Sequence, residues 1–269
     1  MGRPSKQLAE LSGNASAAAP AQEIIRVVER AFSVMQCFDS SHGSLSNGDI
    51  CQMAQLPPST VSRLTRTLTA IGQLSYSPRE QRYALGTAAL TMSASWLRGL
   101  KSRSAIGALM MDLANVVPGI IAMSARQRLD MVMLECRRSE HAVGAFSDVG
   151  SRKSVAYTAS GRAYLLAQPD HKREQFLRML ARKSQSDARR LGDWLRENEA
   201  VFEAEGIATS VREENPHITG IAVPVWSREQ TDYFSLSIGI VSAAYPIEVL
   251  RRDVAPRLVA LRDDIQALL

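Results

Sequence analysis

The stretch Leu56–Gly72, LPPSTVSRLTRTLTAIG, decides how the first third of the chain is read. Val61, Leu64, Leu68 and Ile71 recur at i, i+3, i+7 and i+10, one stripe of a helix. Pro57 and Pro58 suit a turn and a first helical position, where a missing N–H costs nothing. Ser59 or Thr60 is then placed to cap the orphan N–H groups. Off the stripe stand Ser59, Thr60, Ser62, Arg63, Arg66 and Thr67, with hydroxyls at the start and two guanidinium groups farther along. A helix of this kind fits a DNA major groove. An ordinary amphipathic helix with a solvated basic face carries the same pattern, so the flanking sequence has to choose.

Upstream, Ile24, Val27, Val28, Ala31, Phe32, Val34 and Met35 recur at three- and four-residue steps and predict a helix over 22–38. Ser46 opens a short helix carrying Ile50, Met53 and Ala54, and Asp49 completes a capping box with it. Gln55-Leu56-Pro57 makes the tight turn of a helix-turn-helix. Downstream, Leu74 and Tyr76, then Tyr83 and Leu85, alternate around a Pro-Arg-Glu-Gln turn and predict a hairpin. Arg79 at its tip and Arg82 on its return strand are placed to meet a phosphate backbone. Three helices and a basic hairpin make a winged helix-turn-helix, an arrangement that binds DNA or, in some modules, only protein.

Charge favours DNA. The chain of 269 residues has a net charge of +5. Residues 1–101 hold 10 Lys+Arg against 6 Asp+Glu, whereas residues 102–269 hold 22 against 21. The excess sits where phosphates would be met. Hydrophobic content of 45% and charged content of 22% are those of a soluble globular protein, and 269 residues fit one large domain or two of ordinary size. No apolar run is long enough for a membrane span, and the N-terminus lacks the apolar core of a signal peptide. Cys37, Cys51 and Cys136 are scattered, so neither a metal site nor a disulfide framework follows and a cytoplasmic location is expected.

With PPSTVSRLTRTL followed by a glycine and a hairpin ending in YALG, the sequence resembles the IclR family of bacterial transcriptional regulators. Gly150–Ala167 (GSRKSVAYTASGRAYLLA) and Glu213–Val225 (EENPHITGIAVPV) resemble two further segments of that family, in the expected order. Pro58 stands where the family usually has a small or basic residue. Gln55 and His217 stand where it usually has glycine, and Ser154 where it has proline.

The organisation expected is a disordered tail over 1–21, a winged helix-turn-helix over 22–85, a linker helix over 86–101 and an effector domain over 102–269. In the linker, Leu90, Ala94, Leu97 and Leu100 keep helical spacing, and the resemblance implies that this helix pairs protomers into a homodimer or a dimer of dimers. Beyond it, a helix over 105–117 precedes β-rich runs at 120–124, 131–136 and 142–146. Helices over 159–167, 171–182 and 187–205 follow, then strands at 207–211, 218–225 and 234–241, and Pro246 opens a last helix. Strands in the middle with helices at both ends predict an α+β domain built on one antiparallel sheet. The resemblance implies a GAF/PAS-like effector domain, its sheet cupped by helices.

Enzyme signatures are missing: neither G-x-G-x-x-G nor G-x-x-x-x-G-K-S/T occurs. Thr158-Ala-Ser-Gly-Arg162 lacks the first glycine of a nucleophile elbow. The four histidines are isolated, and no cofactor, metal or catalytic residue is expected. By position in the resembling segments, the effector-binding candidates are Met123, Ser160, Ser210, Gly220 and Ser237. Helix N-terminal N–H groups near Ser160 suit a carboxylate, and the resemblance implies a small organic or aromatic acid. The leading reading is a regulator that binds a double-stranded DNA operator and is gated by a small molecule. The rival is a metabolite-binding or enzymatic domain whose winged module binds protein.

Overall fold

The computed structural model describes residues 25–38, 42–100, 102–140, 142, 147–228, 231–243 and 245–269. The tail expected over 1–21 lies outside these, as does all but Ala142 of the strand expected over 142–146. The chain divides between Leu90 and Thr91 into two compact units.

The first unit contains α1 (Arg26–Met35), α2 (Asn47–Ala54), α3 (Pro58–Ala70), β1 (Leu74–Ser77) and β2 (Arg82–Leu85). Ser46 caps α2: its Oγ accepts from Asp49 N–H at 3.2 Å, and Asp49 Oδ2 accepts from Ser46 N–H at 2.9 Å. The two orphan donors are thus satisfied reciprocally. Gln55 ends α2 in the left-handed region, at φ 53°, which explains why glycine suits this position. The α3 stripe is Val61, Leu64, Thr65 and Leu68, all buried. Ile71 was expected on it but is 60% exposed, because α3 ends at Ala70 and Ile71 is already its C-cap. Thr65 takes the buried place, its hydroxyl reaching Asn47 Oδ1 of α2 at 3.3 Å. β1 and β2 pair antiparallel with Ser77 opposite Arg82. Leu45 and Tyr83 exchange two backbone hydrogen bonds of 2.8 and 2.7 Å, which ties the loop before α2 to the wing.

Next comes α4 (Thr87–Gly99), which has no buried residue. The second unit is a six-stranded antiparallel sheet in the order β5-β4-β3-β8-β7-β6. Its strands are β3 (Ile120–Gln127), β4 (Asp130–Arg138), β5 (Arg152–Ser154), β6 (Ala208–Val211), β7 (Ile218–Ser227) and β8 (Asp232–Val241). One face packs on α5 (Arg103–Ala114) and α10 (Ala255–Gln266), through Ile121, Met123, Ile221, Val223, Leu236 and Ile238. The other packs on α6 (Ala159–Leu166), α7 (Asp170–Ala181) and α8 (Gln185–Glu205), through Met131, Ala208 and Ala222. The last helix opens after Pro246 and runs without a gap through a short α9 (Ile247–Val249) and a π-helical turn (Leu250–Val254) into α10.

Candidate nucleic-acid interface and ligand cavity

On α3, Arg63, Arg66 and Thr67 are exposed and Ser62 is half-buried, opposite the Val61–Leu68 stripe. Ser59 and Thr60 do not cap α3; its N-cap is Pro57, whose carbonyl accepts from Thr60 and Val61 N–H at 3.0 Å. Both hydroxyls therefore lie in the first helical turn, which begins at Pro58, a first position that tolerates proline's missing N–H. Thr67 Oγ1 donates to the Arg63 carbonyl at 3.0 Å. Arg79 is exposed at the wing tip.

Arg82 differs from the other three arginines. Its Nε donates to Ser44 Oγ at 3.1 Å, and its Nη2 to the Ser44 carbonyl at 2.9 Å and to Asp49 Oδ2 at 3.1 Å. It braces the wing against the capping box of α2 rather than offering an open guanidinium. The Asp49 carboxyl is held below its ordinary range, first by the Ser46 backbone N–H and then by the Ser46 hydroxyl, with a smaller contribution from Arg82.

In the second unit a cavity of about 130 Å³ opens between the sheet and the start of α6. Its floor follows from register: Ile120 faces Gly239, Gly239 faces Gly220, and Gly220 faces Ser210. In the next row Ala122 faces Ser237. Small residues on four adjacent strands leave the volume unfilled. Thr158 caps α6 by accepting from Gly161 N–H at 3.2 Å. A Cβ at Gly161 would stand 2.3 Å from the Val155 carbonyl oxygen, so only glycine lets the helix start this close to the preceding chain.

Ser160, Ser210, Gly220 and Ser237 line the cavity. Met123 does not. It faces Leu236 and is fully buried in the core on the α5/α10 side of the sheet, because neighbouring strand residues point to opposite faces. His217 is exposed, and it is not among the lining residues. The three hydroxyls already donate: Ser210 to the Tyr157 carbonyl at 2.6 Å, Ser237 to the Ala122 carbonyl at 3.4 Å, and Ser160 to Thr158 Oγ1 at 3.2 Å. Donors open to an anion here include the Ala159 and Ser160 N–H groups, which precede the first intrahelical bond of α6, and Lys153. Sequence reasoning had not singled out Lys153 or Glu214, which line the cavity and pair at 2.8 Å. Lys153 lies within the Gly150–Ala167 segment, but its partner is 61 residues away.

The loop bearing Glu214 is anchored beneath. Arg162 of α6, whose side chain is 1% exposed, makes two hydrogen bonds of 2.6 Å to Glu213 and stacks 4.1 Å from the centre of the Trp194 ring. Tyr157 donates its hydroxyl to Asp187, which lowers the Asp187 pKa and raises that of Tyr157.

Residues 27–78 match the IclR helix-turn-helix domain, and residues 95–263 match the C-terminal domain of the bacterial transcriptional regulator IclR. The chain belongs to the IclR family. Among relatives, it is 27% identical to the HTH-type transcriptional regulator TsaQ1/TsaQ2 of Comamonas testosteroni, over 91% of this chain and 88% of that one. A crystal structure of an IclR-family transcriptional regulator from Brucella abortus superposes with a TM-score of 0.80 at 28% identity, covering 93% of this chain and 94% of that chain. An IclR homologue from Microbacterium hydrocarbonoxydans complexed with 4-hydroxybenzoate shares the fold, with a TM-score of 0.68 at 20% identity over 90% and 98% of the two chains. This IclR-family chain is a DNA-binding transcriptional regulator, with a winged helix-turn-helix in its first unit and an α+β antiparallel-sheet domain in its second. Among the described residues no helix is long and apolar enough to cross a membrane.

Proposed function

We propose that this regulator binds its operator through α3 and the wing, and that a small organic acid in the cavity at the start of α6 changes that affinity without being turned over. The observation that carries the reading is the cavity itself. Its volume of about 130 Å³ is close to the ~150 Å³ of an engineered cavity that accepts benzene. Its floor is small side chains, and its donors are helix N-terminal N–H groups that favour a carboxylate. The 4-hydroxybenzoate held by the Microbacterium homologue is an acid of this size class. Arg63 is assigned to a base edge, with Ser59, Thr60, Ser62 and Thr67 beside it, and Arg66 and Arg79 to phosphates. A cytoplasmic location belongs to the same proposal, supported by the regulator's need to reach DNA.

Pairing into a homodimer or a dimer of dimers belongs to the same proposal. A single winged module reads too few base pairs for genomic specificity. A helix apolar on several sides ordinarily finds cover, yet in α4 Leu90, Met92 and Trp96 are exposed. The linker is kept at 86–101 and the effector domain at 102–269.

The test is Gly220→Leu. A Cβ at Gly220 meets only Ala159 and the Ile238 carbonyl, at 3.5 and 3.6 Å, so a leucine is tolerated by the backbone and fills the cavity. Calorimetry with 4-hydroxybenzoate and benzoate, paired with operator titration, should show acid binding lost and acid-free operator affinity unchanged. In the wild type a bound acid should shift operator affinity about 5- to 150-fold, a coupling of ~1–3 kcal/mol. Normal acid binding by Gly220→Leu would move the site elsewhere.

A further inference from the structure

The second unit has another hollow on the α6–α8 side of its sheet, of about 450 Å³, beside the C-terminal half of α6. Arg126 from β3 lines it, together with Lys172 and Arg178 of α7 and Arg182 just after that helix. Asp232 of β8 is the one acid among the lining residues. Its carboxylate is already engaged, accepting from Tyr164 Oη at 3.1 Å and from Gln168 Nε2 at 2.8 Å. Arg126 Nε donates to the same Tyr164 Oη at 3.1 Å, which draws arginine, tyrosine and aspartate into one braced wall. Leu165 and Phe176, 1% and 4% exposed, supply an apolar floor.

The cations are poorly neutralised. Lys172 and Arg182 are exposed and have no ion pair among the described residues. Arg178 meets Glu174 at 3.5 Å, between side chains 70% and 66% exposed, a pairing that solvent screens almost completely. Four cations around a concave surface repel one another, and a low-dielectric floor focuses their field on whatever enters. Guanidinium forks match the oxygens of phosphate. One carboxylate would leave most of this charge unanswered, whereas a phosphate ester answers more of it and places its carbon skeleton on Leu165 and Phe176.

We propose that this hollow binds a small organic phosphate carrying about two negative charges, at a site separate from the Ser210–Gly220 cavity. The two sites share α6: Ala159 and Ser160 line one, Tyr164 and Leu165 the other. An occupant of either rests against the helix that shapes both. Through α6 the regulator can receive a second chemical signal besides the organic acid.

The test is calorimetric titration of the full chain with phenyl phosphate and pyrophosphate, with benzoate as the singly charged comparison. Wild type should bind phenyl phosphate saturably, with one site per chain, and more tightly than benzoate at this site. Lys172→Gln combined with Arg182→Gln changes two exposed side chains. It should weaken phenyl phosphate at least tenfold with the thermal melt unaltered, while the charge-keeping pair Lys172→Arg and Arg182→Lys should restore most of the affinity. No saturable phosphate binding overturns the proposal, as does equal affinity in the glutamine variant. Loss of phosphate binding in Gly220→Leu, with the glutamine variant unaffected, would place the anion in the first cavity and overturn it equally.

Discussion

Arg63 and Arg82 are both arginines of the winged unit, yet their surroundings give them different work. Arg63 is exposed on the outer side of α3, so its fork is available to the O6 and N7 acceptors of a guanine. Arg63→Ala should therefore cost ~1–3 kcal/mol of discrimination at one operator position and leave the melting temperature unchanged. Arg82 holds Ser44 and Asp49, with its own side chain 41% exposed. Arg82→Ala should lower the stability of the winged unit by about 1 kcal/mol and weaken all duplexes alike, because the wing loses its brace. Fluorescence titrations against operator variants and random duplex, paired with thermal melts, separate the two. Equal loss on specific and random DNA for Arg63→Ala would remove the base-reading assignment.

At the scale of the element, α4 and the residue that follows it behave oppositely. Leu100 was grouped with Leu90 and Leu97 by spacing, but it is 9% exposed and belongs to the core around α5 and α10. Leu90 is 67% exposed, and Leu97, seven residues on, is half-buried. Leu97→Glu should lower the sedimentation mass and the operator affinity together without unfolding the chain. Leu100→Glu should instead destabilise the second unit, since a carboxylate would be placed in its core. An unchanged mass for Leu97→Glu removes this face of α4 from the assembly.

Across the whole molecule, the buried apolar side chains among the described residues form three clusters, one in the winged unit and two in the second unit. The winged unit packs around Val34, Ile50, Val61, Leu64 and Leu68, while the second unit packs on both faces of its sheet. Units with their own cores unfold as their own cooperative transitions. Scanning calorimetry should resolve two. Arg82→Ala should move only the one belonging to the winged unit, and a bound acid only the other, by the mass-action stabilisation of the state that binds it. A single transition shifted by both would contradict the division at Leu90 and Thr91.

What the sequence determined by itself was local. The α3 stripe, the Ser46–Asp49 capping box and the wing turn each depend on residues a few positions apart, and their chemistry is legible in order along the chain. Tertiary structure decided which way β3 faces. Both sides of its sheet are covered by helices, so Ile120–Met123 reads as a continuous apolar run with no alternation to mark a face. Met123, expected in the cavity from its position in the resembling segments, is core, and nothing in that run marks it as such. The cavity floor required the register of four strands, which brings Gly239, Gly220 and Ser210 into one row across sequence gaps that carry no signal. Arg82 looked like any basic wing residue until folding set Ser44 and Asp49 against it. A guanidinium is the same side chain whether it will meet a phosphate or a carboxylate; only the fold supplies the partner.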